Sequence, residues 1–282
     1  MASFAPEVIF QIGKFPVTNT VINTILVDGF LLLLAFLIAK NISRVPGKIQ
    51  LIAEYVIGGL YRFTESIAGD KTSKIFPFFI TFFLFILISN WSGLIPGINT
   101  FGIVEQHEGK THIVPLIRAT TSDLNTTLSL ALVSLLATHI MSIRTLGLSE
   151  YISRFIPFFP FILSVLKGKP KFSLDTNGPI NLFISLFNPF VFVFVGLLEL
   201  ISEFVKIISL SFRLFGNIFA GEVVLETVSG IFAFVFPLPF LVLEIVVGLV
   251  QALVFSMLTM AFMIILTTPH KEAEEVNNSS GV

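Results

Sequence analysis

The stretch IFPFFITFFLFILISNWSGLIPGINTFGIV, residues 75–104, contains no charged side chain. A helix needs about 20 mostly apolar residues to cross about 30 Å of hydrocarbon, and this run is longer than that. Further charge-free runs cover Leu124 to Ile143, Thr176 to Leu198 and Ile245 to Pro269. Across the 282 residues, 54% are hydrophobic and 12% charged, with a mean hydropathy of +0.93. Ordinary soluble domains carry about 25% charged residues, so a soluble globule is excluded and an integral membrane protein is expected. The formal net charge of −1 gives no reason to expect a nucleic-acid partner. The absence of cysteine removes disulfides, thiolate chemistry, iron–sulfur clusters and cysteine-ligated zinc.

Working outward, the apolar pattern predicts an all-α protein with about five membrane-embedded helices in a single membrane domain, residues 1–282. The spans cover about 21–39, which includes Asp28, then 75–94, 123–143, 180–231 and 239–267. Met1 to Thr20 lacks the basic start, short apolar run and small-residue cleavage site of a signal peptide, so the first span is expected to be retained. Gly47 to Ala68 mixes apolar residues with Gln50, Glu54, Arg62 and Glu65, which suits an amphipathic helix lying on the headgroups. Pro157, Pro160 and the basic Lys167 to Lys171 stretch suggest an interfacial hairpin, and the polar, acidic residues 270–282 a disordered tail.

Lysine and arginine predict the orientation, because cytoplasmic loops hold an excess of them. Lys40, Arg44, Lys48, Arg62, Lys71 and Lys74 lie between spans one and two, and Arg144, Arg154, Lys167, Lys169 and Lys171 between spans three and four. Only Lys14 precedes span one, and only Lys110 and Arg118 lie in the loop after span two. The N-terminus is therefore predicted outside and the C-terminus inside. Trp91 at the outer end of span two and Tyr151 in an inner loop fall where amphipathic rings prefer to sit.

Soluble-enzyme motifs are weak. Gly109 to Thr111 lacks the upstream glycine of a phosphate-binding loop. Glu105, His107, Glu108 and His112 have no tight ligand spacing, so neither metal nor cofactor is expected. His139 reads as a satisfied interior histidine, and Asp123, 16 residues earlier, lies on nearly the opposite face of a helix.

The fourth region carries Glu199, Glu203, Lys206, Arg213, Glu222 and Glu226. An arginine near the centre of a bilayer helix costs about 2.5–3.5 kcal/mol on insertion scales, so such residues point to function. Glu199, Lys206 and Arg213 repeat every seven residues, and Asn217 extends that stripe by four. Lys206 has Glu203 and Glu199 within reach along the chain. No acid lies within four residues of Arg213, so its partner is expected from elsewhere. In the fifth span, Glu244, Gly248, Gln251 and Phe255 share a helical stripe, with Gln251 near the depth of Arg213. A helix over about 190–231 would extend roughly 60 Å, twice the hydrocarbon thickness, so it must tilt, bend or break. Acids on both sides of a permanently charged guanidinium suit a proton relay whose direct leak is blocked electrostatically.

Ser209-Leu210-Ser211-Phe212-Arg213-Leu214-Phe215-Gly216-Asn217-Ile218-Phe219-Ala220-Gly221-Glu222 closely resembles the signature of subunit a of F-type ATP synthases. Ser122-Asp123-Leu124-Asn125, Glu199, Lys206, Glu244 and Gln251 extend the resemblance over about residues 20–268. By that resemblance, Arg213 is the essential arginine facing a rotor ring of small hairpin c subunits and separating two aqueous half-channels. Glu222, Glu244, Asn217 and Gln251 would line the outer half-channel, with Asp123 near its mouth. Glu199 would belong to the inner one, with Lys206 and Ser209 nearby. The resemblance further implies long, steeply tilted last helices, peripheral-stalk b subunits and the rest of the F1Fo complex as partners, and no catalytic nucleotide site in this chain. It favours a bacterial inner membrane over a thylakoid or mitochondrial one. Positions 222 and 244 are often a Glu and His pair in the family, whereas this chain has Glu at both. The rival reading is a self-contained ion-coupled secondary transporter, which would show internal repeats; none is visible between the halves.

Overall fold

The computed structural model describes residues 6–40, 42–43, 46–95, 97, 102–107, 110–155, 179–231 and 236–268. The expected hairpin at 157–171 and the expected tail at 270–282 lie outside the described residues. The helices are α1 (Asn19–Lys40), α2 (Lys48–Ala68), α3 (Thr72–Ser92), α4 (Leu124–Leu146), α5 (Leu148–Phe155), α6 (Pro179–Ile231) and α7 (Pro237–Thr267). α1, α3, α4, α6 and α7 overlap the five stretches expected from the apolar pattern. Among the described residues, four helical stretches are long and apolar enough to cross a membrane: Asn19–Lys40, Lys48–Ser92, Leu124–Leu146 and Pro237–Thr267. α6 is a further helix of 53 residues, assigned without interruption, so of the options tilt, bend or break the last does not occur.

Helix is the form in which these sequences satisfy their own backbone where water is absent. Their hydroxyls do the same by donating back one turn: Thr24 to the carbonyl of Thr20 at 2.8 Å, Thr138 to Ser134 at 2.8 Å, and Ser256 to Ala252 at 2.9 Å. α2 is the amphipathic segment read from the sequence. It leaves Ile49, Leu51, Ile52 and Tyr55 exposed and packs against α3, with Tyr61 edge-on to Phe76 at a centroid distance of 5.0 Å.

Two short antiparallel hairpins accompany the helices and were not read from the sequence. β1 (Val8–Ile12) pairs with β2 (Phe15–Thr18), and β3 (Gly102–His107) with β4 (Lys110–Pro115). The strands of the first, VIFQI and FPVT, are mostly apolar, whereas those of the second mix Ile103, Val104, Ile113 and Val114 with Glu105, Gln106, His107, Lys110, Thr111 and His112.

Packing contacts divide the chain into two compact units, Met1–Leu132 with Leu210–Ala261, and Val133–Ser209 with Phe262–Val282. In the first unit, α3 and α7 meet closely. Asn90 Nδ2 donates to the Gly248 carbonyl at 3.1 Å, and Trp91 Nε1 to that of Ile245 at 3.1 Å. Phe82 and Phe255 pack at a centroid distance of 5.6 Å. In the second unit, Ser142 of α4 donates to the Leu266 carbonyl of α7 at 2.6 Å. Gly147, with φ +84°, ends α4 in the left-handed conformation that glycine adopts without strain and lets α5 start immediately.

Candidate functional site

In the first unit, Leu214, Phe215 and Ile218 bury one face of α6. Glu222, one turn beyond Ile218, is carried onto that face. On α7 the stripe read from the sequence points inward throughout: Glu244 is 4% exposed, and Gly248, Gln251 and Phe255 are buried. Glu222 and Glu244 line one cavity of about 70 Å³ together with Asn90, Arg118, Ile218 and Leu225. That is room for more than one water, and the walls supply the polar partners a buried water needs.

The two acids are held differently. Arg118 grips Glu222 with both edges of its fork, Nε at 2.9 Å from Oε1 and Nη2 at 3.0 Å from Oε2. The arginine is 6% exposed and the glutamate 32%. Such bidentate charge-assisted pairs are the strong ones, and they fix the carboxylate in orientation. Glu244 has no such cation among the described residues, and its buried Oε1 accepts no hydrogen bond from them. Its carboxylate occupies the space where a side chain at Gly221 would begin. Gly221→Ala therefore has to displace Glu244. The expected outcome is a drop in thermal stability in detergent of about 1–3 kcal/mol, the usual cost of overpacking, with weakened ion flux, read by a melting curve and a vesicle flux assay.

The loop that delivers Arg118 is itself anchored. Asn23 of α1 donates to the Arg118 carbonyl at 2.9 Å and to Ser92 Oγ at 2.8 Å. Asp123 serves a structural end. It caps α4, accepting the Asn125 amide at 3.0 Å, and accepts the Thr20 hydroxyl at 3.2 Å. It does not line the cavity that holds Glu222 and Glu244.

Arg213 and Asn217 stand exposed on α6 beside the exposed apolar residues Ile208 and Phe212. Asn217 Nδ2 donates to Gln251 Oε1 at 2.7 Å, joining the two stripes recognised in the sequence. Ser211, one position nearer the N-terminus than Phe212, shares a 3.1 Å hydrogen bond with Thr127 of α4.

The second unit gathers another set. Glu203 is 7% exposed. Its Oε1 accepts from Lys206 Nζ at 2.7 Å, the balance expected along the helix, and its Oε2 lies 3.6 Å from His139 Nε2. The other ring nitrogen, Nδ1, is 3.1 Å from the Tyr151 hydroxyl, and Lys206 Nζ sits 5.2 Å from the Phe262 ring centroid. Burial, with Glu203 adding to it, pushes the Tyr151 phenol on α5 above its ordinary value. Glu199 is half-buried and Ser209 exposed. Side chains at residues 104–114 are outside the described residues, which covers Glu105, His107, Glu108 and His112.

Three of these residues escape a reading of the sequence as site residues. Arg118 counts there only as loop charge, although it is the arginine nearest in sequence to span three on its outer side. Glu203 enters only as a counter-charge to Lys206, and Tyr151 only as an interfacial ring. The pairings of Arg118 with Glu222, 104 residues on, and of His139 with Glu203, 64 residues on, leave no local period to find.

These features define a polytopic helical membrane protein with ionisable residues buried among its apolar helices. The ATP synthase A chain family matches residues 21–168 and 171–264. ATP synthase subunit a of Moorella thermoacetica is 30% identical over 262 residues, covering 93% of this chain and 96% of the relative. That of Desulfotalea psychrophila is 33% identical over 85% of this chain and 80% of the relative. A Propionigenium modestum protein named ATP synthase subunit a, sodium ion specific, is 34% identical over 92% and 77%. The chain belongs to the ATP synthase A chain family.

Proposed function

We propose that this chain, working as one membrane domain, is the proton-conducting stator of an F-type ATP synthase. Protons enter from the outer side through the cavity of Glu222 and Glu244 and load a carboxylate of the rotor c-ring near Asn217 and Gln251. After nearly one ring turn they leave past Glu199, with Lys206 and Ser209 beside that route. Arg213, which cannot deprotonate, blocks the short path between entry and exit. Asp123 shapes the outer mouth by fixing the start of α4. The N-terminus faces outward and the C-terminus the cytoplasm of a bacterial cell. The chain holds no nucleotide; the remainder of F1Fo, with b subunits as the peripheral stalk, performs the phosphorylation. Each charge falling through 100 mV yields about 2.3 kcal/mol, so several must pass per nucleotide.

The observation that carries this reading is the exposure of Arg213 and Asn217 on an apolar helix surface. Polar and charged side chains exposed on an otherwise apolar, membrane-embedded surface suit a partner inside the membrane. Gentle detergent extraction of the tagged chain is expected to bring down a ring of small hairpin proteins. Recovery of the chain alone, with intact solute uptake coupled to an ion gradient, would instead support a self-contained transporter.

A further inference from the structure

The cluster of Glu203, His139 and Tyr151 has no role in the path above. It brings together three groups that bind and release protons, from α6, α4 and α5, all within one compact unit. Lys206 occupies Oε1 of Glu203 at 2.7 Å, which leaves Oε2, buried and without a hydrogen bond among the described residues, turned toward His139 Nε2 at 3.6 Å. That spacing is slightly long for a hydrogen bond and closes with a small side-chain movement. The histidine then presents its second nitrogen to a hydroxyl at 3.1 Å. A carboxylate on one nitrogen and a hydroxyl on the other is the arrangement of a proton shuttle.

We propose that Glu203 and His139 form a proton-transfer station on the exit side, passing protons toward Tyr151. This rests on the stator reading, and places a second, buried acceptor one helical turn from Glu199. In the forward step the protonated Glu203 carboxyl gives its proton to His139 Nε2, forming an imidazolium and restoring the carboxylate beside Lys206. The imidazolium loses its Nδ1 proton to water by way of the Tyr151 hydroxyl, which accepts one proton and releases another. The neutral ring, now carrying its proton on Nε2, regains its starting tautomer by exchange with exit-side water, which takes the Nε2 proton while the Tyr151 hydroxyl returns one to Nδ1. Protons and charge balance at every step, and nothing is oxidised or reduced.

The test measures proton flux in inverted vesicles carrying the whole complex stripped of its soluble sector. Flux is taken as the part blocked by a carbodiimide that modifies ring carboxylates. H139A and E203Q are each expected to lower this flux at least tenfold with the ring still copurifying, and millimolar imidazole is expected to restore H139A but not E203Q. Flux at the wild-type level in either variant overturns the station. So does a loss in H139A that imidazole leaves unchanged, since that marks a packing role. If H139A fails to assemble, H139Q replaces it, and normal flux in H139Q is then the overturning result. Wild-type vesicles with no carbodiimide-sensitive flux would remove the stator reading itself; sensitive flux with unaffected variants removes only the station.

Discussion

Arg213→Ala is expected to abolish ATP synthesis driven by a proton gradient in inverted vesicles, while the ring remains bound. The expected fall is on the order of 10²–10³-fold or more, the range seen when a preorganised charge-stabilising group is removed from a reaction path. The reasoning starts from the guanidinium itself, which keeps its charge at any physiological pH. Exposed on α6 one turn before Asn217, it presents a fixed positive potential to whatever passes that surface. On the proposed path a ring carboxylate carried past it would arrive without its proton, which would separate the entry side from the exit side. Without that charge a proton can cross directly, and about 2.3 kcal/mol per 100 mV is dissipated as heat instead of turning the ring. Arg213→Lys should also fail largely, because an ammonium sheds its proton far more readily in an apolar setting. Undiminished synthesis in Arg213→Ala would defeat the assignment.

Glu244→Gln is expected to lower synthesis by about 10²-fold, the lower end of what a positioned proton-transfer group contributes. Of the two acids lining the entry cavity, Glu222 is tied to Arg118 through two short hydrogen bonds. On the proposed path Glu244, whose Oε1 accepts no hydrogen bond among the described residues, would be the carboxyl that takes and gives the proton. Glu222→Gln should behave differently: it weakens the grip of Arg118 on a half-buried partner, at a cost of about 1.5–3 kcal/mol, the usual worth of hydrogen bonds to charged groups. The loss there appears first as reduced assembly, and Arg118→Gln combined with Glu222→Gln should recover part of it. A cavity with one carboxylate already neutralised by arginine is poorly equipped to strip water from a metal cation, so synthesis should be indifferent to sodium. Wild-type rates in Glu244→Gln, or a sodium requirement, would count against this entry path.

The helices are legible because the bilayer imposes a long, simple signal: extended apolar stretches, with Asp28 the one charge inside 21–39, mark α1, α3, α4 and α7. α6 is legible despite its charges because Glu199, Lys206 and Arg213 keep a seven-residue period and still fall on one helix face. The inward stripe Glu244, Gly248, Gln251, Phe255 is likewise a matter of counting. The hairpins escape because strands of four to six residues leave little periodicity to read. The pairing of Arg118 with Glu222, and of His139 with Glu203, depends on tertiary approach between distant helices. Asp123 shows the converse. Its sequence context points to the channel mouth, whereas its oxygens are engaged by the Asn125 amide and the Thr20 hydroxyl, the ordinary duty of an acid at a helix start.

Asn23 has a reach well beyond its own helix. By clasping the peptide oxygen of Arg118, this uncharged side chain sets where the cation meets Glu222, so the first membrane span acts as a setscrew on the electrostatics of the distant acid pair. Changes in lipid thickness or in a neighbouring subunit that nudge α1 would then be felt as altered conductance. A gene variant at Asn23 would look like a lesion of the ion pathway while leaving every titrating group intact.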